Sequence, residues 1–141
     1  MLRRREPGCR MPRDATGTGD TGRDPGPRLT AGVRWCGGTA VVTVTGELDR
    51  DTEVLLHTVL TGVLERRPER VVVDCARLTF CDSTGLNLLL ATRLEATGAG
   101  SRLELAALRP PVDRVFDVTG VVKLFTVHAE LPAELAEGES P

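Results

Sequence analysis

The chain has 141 residues, a net charge of −2 at pH 7, 40% hydrophobic residues and only 3% aromatic ones. That length suits one domain around one core. The near-neutral charge and the scarcity of base-stacking rings argue against a nucleic-acid surface, and no apolar run approaches the roughly 20 residues of a membrane span.

Residues 1–28 differ from the rest. They hold five Gly and four Pro, with Leu2 as the one large aliphatic residue. Such a composition cannot offset the entropy of ordering, and it predicts a disordered Arg/Gly/Pro-rich tail. The tail carries a charge of +3 against −5 for the remainder. It either solvates the terminus or binds an acidic partner. Arg3, Arg4 and Arg5 are not followed by the apolar segment of a signal peptide. Cys9, Cys36, Cys75 and Cys81 form no CxxC pair and read as reduced thiols of a cytoplasmic protein with no metal site.

The first elements form a hairpin. "GVRWC" (Gly32 to Cys36), Gly37-Gly38 and "TAVVTVTG" read as two strands about a glycine turn. Residues 50–66 then follow helical spacing, with Leu55, Leu56, Val59, Leu60, Val63 and Leu64 on one face. Asp49 or Asp51 can cap the start, and Pro68 follows the end. "RVVVD" (Arg70 to Asp74) predicts a buried strand, followed by a loop to Phe80. Leu86, Leu89, Leu90 and Leu94 line a helix ending at Gly98, and "RLELAAL" (Arg102 to Leu108) reads as a strand. Pro110-Pro111 opens a short helix with Val112, Val115 and Phe116 inward, stopped by Gly120. "VVKLFTV" (Val121 to Val127) is the last strand, and the acidic residues 130–141 suggest a short final helix and a frayed end. The order β-β-α-β-α-β-α-β-α implies an α/β domain, a mixed sheet with packed helices.

Enzyme motifs are absent. No GxxxxGK[ST] phosphate loop, GxGxxG or GxSxG elbow occurs. His57 and His128 are distant from Ser83 in sequence, and Glu47 and Asp49 read as helix-capping carboxylates. These residues predict neither catalysis nor a cofactor.

"RLTFCDSTGLNLLLATRLEATG" (Arg77 to Gly98) presents Asp82, Ser83 and Thr84 together at a helix start. One of the three caps the helix by accepting from a free N–H, which contributes about 1 kcal/mol. The others remain unexplained by capping. A hydroxyl at a helix N-terminus can carry a phosphate, because the partial positive charge there favours an anion. Gly85 follows and leaves the backbone uncrowded.

"VTVTGELDRDT", "VVVDCARLTFCDSTGLNLLL" and "RPPVDRVFDVTGVVKLF" together resemble the STAS domains of bacterial anti-sigma-factor antagonists, in order and spacing, over roughly residues 30–137. The resemblance implies a STAS domain over residues 29–137, with residues 138–141 as a frayed end. It implies that Ser83 is the phosphoacceptor, that Asp82 and Thr84 shape its turn, and that Glu47 and Asp49 of the GELD turn border the phosphorylation and docking site. Asn87 departs from the family, whose members often have Gly there, and bears on partner choice. Cys81 stands where the family often has an apolar residue. The implied mechanism is partner switching. The unphosphorylated protein binds an anti-sigma factor that is also a serine kinase, releasing a sigma factor; phosphorylation ends the interaction and a serine phosphatase resets it. The alternatives are a STAS module of a larger sensory complex unrelated to a sigma factor, and a small nucleotide-binding or hydrolytic protein.

Overall fold

The computed structural model describes residues 28–136. Its elements are β1 (Leu29–Cys36), β2 (Thr39–Leu48), α1 (Glu53–Glu65), β3 (Arg70–Cys81), α2 (Ser83–Gly98), β4 (Arg102–Ala106), α3 (Val112–Thr119) and β5 (Thr126–His128), with short 3-10 turns at Val121–Leu124 and Ala133–Leu135. The sheet order is β1-β2-β3-β4-β5. β1 and β2 form the antiparallel hairpin, and every later pairing is parallel. Each helix therefore returns the chain to the start of the next strand, and α1 and α2 both begin at the C-terminal ends of the strands before them.

Strand alternation divides the sheet between two layers. Ala40, Val42, Val44, Val71, Val73, Leu103 and Leu105 face the main core. Leu56, Leu60 and Val63 of α1, Leu86 and Leu89 of α2, and Val112 and Phe116 of α3 close that face. Phe116 meets Phe125 edge-on at 6.0 Å, which ties α3 to the segment leading into β5. On the opposite face Val41, Val72 and Ala106 pack with Leu135 of the C-terminal turn.

The structure corrects several expected boundaries. β3 does not stop at Asp74 but runs twelve residues to Cys81. The continuation is hidden in sequence because the β2–β3 ladder shifts register twice, between Thr43 and Thr45 and between Gly46 and Glu47. Each irregularity adds a residue to the repeat, so Cys75, Leu78 and Cys81 turn inward at intervals of three rather than two. The last strand is also shorter than expected: Val121–Leu124 is a 3-10 turn after the left-handed Gly120, and only Thr126–His128 joins the sheet.

On α2 the buried stripe runs through Gly85, Leu88, Leu89, Thr92 and Ala96, while Leu94 is 66% exposed. Small residues share this buried face with leucines: Gly85, Thr92 and Ala96 lie inside together with Leu86, Leu88 and Leu89. On α1 Leu55 likewise faces outward, whereas Leu56, Leu60 and Val63 are buried. The short final helix expected after residue 130 is reduced to the 3-10 turn Ala133–Leu135.

Candidate functional site

The two motifs meet because β2 and β3 end side by side. Glu47 is the register partner of Phe80, and Leu48 of Cys81. One step further, the Asp82 N–H donates to the Leu48 carbonyl at 3.3 Å. The GELD turn and the DSTG turn thus leave the same end of the sheet, each directly before a helix.

Asp82 resolves the question of three candidate caps. It is the N-cap of α2, in extended conformation, and its Oδ1 accepts from the Gly85 N–H at 3.1 Å. Ser83 is the first helical residue and is exposed; Thr84 is second and half-buried. The cap function thus falls to Asp82, and the Ser83 hydroxyl stands at the positive end of the helix. Asn87 is exposed one turn on, at i+4 from Ser83, and shares its face.

Gly85 is not the uncrowded position its size suggested. It is buried, and a Cβ there would lie 2.7 Å from Leu48 Cγ and 2.9 Å from Cys81 Sγ. Glycine allows the first turn of α2 to rest on the paired strand ends, which fixes Ser83 relative to the GELD turn.

Within that turn Gly46 has φ +114°, and a Cβ would fall 2.0 Å from the Arg28 carbonyl oxygen. Asp49 organises the approach to α1: its Oδ1 accepts from the N–H groups of Asp51 at 2.9 Å and Thr52 at 3.2 Å. Thr52 Oγ1 accepts from the Asp49 N–H at 2.9 Å and donates to the Glu47 carbonyl at 2.8 Å. Neither expected residue caps α1: Thr52 holds the N-cap position without a side-chain cap hydrogen bond, Asp49 closes the turn before it through the Asp51 and Thr52 N–H groups, and Asp51 is exposed.

Arg28 was absent from the sequence-based site, because composition assigned it to the tail. Its guanidinium donates to Glu47 Oε1 at 3.1 Å and pairs with Asp49 and with Asp51, the last at 3.5 Å. Partial desolvation pulls the Asp49 carboxyl upward. The Arg28 hydrogen bond and charge, with the backbone N–H groups of Asp51 and Thr52, outweigh it and leave the carboxyl below the ordinary carboxylate range. Phe80, expected in a loop, is instead on β3 beside Glu47 and is 44% exposed.

The thiols divide. Cys36 is disulfide-bonded, contrary to the expectation of reduced cysteines throughout, whereas Cys75 and Cys81 are free and buried. Burial, then the Asp82 charge, pushes the Cys81 thiol up to about 12. Burial also raises Cys75, assisted by Asp74 and Cys81. Both behave as small apolar groups in the core rather than nucleophiles. Cys9 lies outside the described residues. His57 is exposed on α1, and His128 Nε2 is 2.9 Å from Glu104 Oε1. Among the described residues no hydrogen bond joins either histidine to Ser83, and no group of three or more His, Cys, Asp or Glu is placed to hold a metal. No helix among the described residues is long and apolar enough to cross a membrane.

An α/β domain with a five-stranded mixed sheet, helices on one face and a capped serine turn at the end of β3 defines the class of fold. The STAS-domain family described as "Mlab, STAS domain" matches residues 31–127. An anti-sigma-B factor antagonist of Staphylococcus epidermidis is 32% identical over 87 residues, 62% of this chain and 81% of the relative. The crystal structure of an anti-sigma factor antagonist from Mycobacterium paratuberculosis superposes with TM-score 0.69 at 31% identity, covering 76% of this chain and 91% of that one. The fold also matches SpoIIAA in its unphosphorylated form (TM-score 0.55, 24% identity, 63% of this chain and 78% of that one) and the Bacillus SpoIIAA in the phosphorylated form (TM-score 0.51, 23% identity, 64% and 82%). The chain belongs to the STAS-domain family of anti-sigma-factor antagonists.

Proposed function

We propose that this protein is a phosphorylation-gated anti-sigma-factor antagonist of the cytoplasm, a binding protein rather than an enzyme. Unphosphorylated, it binds an anti-sigma factor that is also a serine kinase, and the bound sigma factor is released. Transfer of the ATP γ-phosphoryl group to Ser83 Oγ, with loss of the hydroxyl proton, ends the interaction. A serine phosphatase restores the free hydroxyl.

The observation that carries this reading is the division of labour between Asp82 and Ser83. Asp82 caps α2, so the exposed Ser83 hydroxyl can be modified without removing a cap. A phosphate there would meet the positive end of the helix, so the fold can hold the modified residue. Glu47, Asp49, Thr84 and Asn87 border this position and form the docking surface in this reading. The kinase would bring nucleotide and catalytic groups, which agrees with a chain whose sequence has no phosphate loop.

The test is to purify the kinase-type anti-sigma factors encoded in the same genome and incubate each with this protein and ATP, mapping phosphate by mass spectrometry. One phosphate on Ser83, absent from Ser83→Ala, is expected. Phosphate mainly on Thr84, or surviving in Ser83→Ala, contradicts the assignment. Ser83 phosphorylation without release of any sigma factor would fit a STAS module of a larger sensory complex instead.

A further inference from the structure

We propose that Arg28 is an intramolecular counter-ion that masks the acidic GELD turn and must be displaced before a partner's cationic side chain can dock there. The inference rests on the reading above only in taking this end of the sheet as the docking surface.

The backbone fixes Arg28 over the turn. Its carbonyl accepts from the Glu47 N–H at 2.9 Å, and the absent side chain of Gly46 makes room for that carbonyl. From this anchor the guanidinium reaches Glu47, Asp49 and Asp51. Hydrogen bonds to Glu47 and Asp49 raise its pKa further, so it stays charged. The planar fork of donors suits carboxylates, which establishes that a guanidinium fits this turn.

The contact is also exchangeable. The Arg28 side chain is 46% exposed and Asp49 is 15% exposed, so water and competing ions reach the pair. Exposed ion pairs are weak and salt-sensitive. A single guanidinium shared among three carboxylates leaves an acidic excess that attracts a second cation. Apolar side chains flank it: Phe80 beside Glu47, and Val54, 70% exposed, in the first turn of α1. An acidic centre with exposed apolar neighbours fits a partner segment that presents an arginine between apolar residues.

N-acetylarginine amide serves as the probe, titrated at low salt into full-length wild type, Arg28→Ala and Arg28→Ala/Asp49→Asn, with backbone amide shifts of residues 46–54 as readout. The expected result is saturable binding in Arg28→Ala at least about tenfold tighter than in wild type, lost in the double variant and weakened by salt. Equal affinity in wild type and Arg28→Ala, or an unchanged response after Asp49→Asn, overturns the proposal. Should Arg28→Ala disturb the amide spectrum globally, Arg28→Gln, which keeps donors without the charge, is held to the same outcomes. No kinase is involved, so failure here leaves Ser83 phosphorylation standing, and failure of Ser83 phosphorylation leaves this result standing.

Discussion

Leu48 and Cys81 are register partners on adjacent parallel strands, and both would lie within 3 Å of a Cβ at position 85, the third residue of α2. This three-way contact seats the serine turn against the GELD turn. Gly85→Ala forces atoms into a filled space, and overpacking of this kind costs about 1–3 kcal/mol. Gly62 on α1 is the control: a Cβ there meets nothing within 4 Å, so Gly62→Ala stabilises by about 0.5–1 kcal/mol. Urea denaturation of the two variants should move the midpoint in opposite directions. Equal effects would show that the contact is not tight.

The assignment of the cap to Asp82 separates neighbouring residues. Asp82→Ala leaves the Gly85 N–H without its acceptor and should destabilise by about 1 kcal/mol. Ser83→Ala removes an exposed hydroxyl with no such partner and should change stability by less than about 0.5 kcal/mol. Thermal melts of both variants check this ordering; a larger loss for Ser83→Ala would transfer the cap to the serine.

Asp49 sets the acid limb of the stability profile at this turn. Its folded carboxyl lies below the ordinary range, so the folded state favours the ionised form. The stabilisation is present above the unfolded pKa of about 3.9 and is lost as pH falls through the folded value. Asp49→Asn should therefore lower stability at pH 6 and make the profile flatter below about pH 4. An acid limb identical to wild type would remove Asp49 from that role.

Cys81 acts at the other end of the pH scale. Its thiol is raised from 9.0 to about 12, so the unfolded chain gives up this proton first. The associated stability is complete below about pH 9 and falls as pH rises toward the folded value. Native protein at pH 8 should leave Cys75 and Cys81 unlabelled by iodoacetamide, while protein in denaturant is labelled at both. Rapid labelling of Cys81 in native protein would contradict its burial in the core.

Much of the fold was legible because apolar periodicity survives wherever an element is regular. The hairpin about Gly37-Gly38, the valines of β3 and the α1 positions Leu56, Leu60 and Val63 all carry that signal. The signal failed where geometry departs from a simple period. Register shifts hid the second half of β3, and with it Phe80. On α2 the interior also takes Gly85, Thr92 and Ala96, so leucine spacing alone pointed to Leu94, which is exposed. At the site, the residues of both turns were legible as short motifs. Their seating was not, because it depends on Leu48, Cys81 and Arg28, each of which acts through a partner distant in sequence.

In the proposed mechanism, phosphorylation of Ser83 switches binding in one of two ways, by disturbing the fold or by spoiling the surface. At the N-terminus of α2 a phosphate would gain about 0.3–1 kcal/mol from the helix, offset in part by the neighbouring Asp82 carboxylate. Against a partner, an unpaired buried charge costs roughly 3–5 kcal/mol. The surface term dominates, and about 4 kcal/mol corresponds to roughly a thousandfold in affinity. The most direct measurement is calorimetric titration of the cognate anti-sigma factor with Ser83-phosphorylated and unphosphorylated protein, paired with their thermal melts. Binding weakened by roughly a thousandfold at a nearly unchanged melting temperature is the predicted result. Equal affinity of the two forms, or a phosphorylated form that melts many degrees lower, would contradict it.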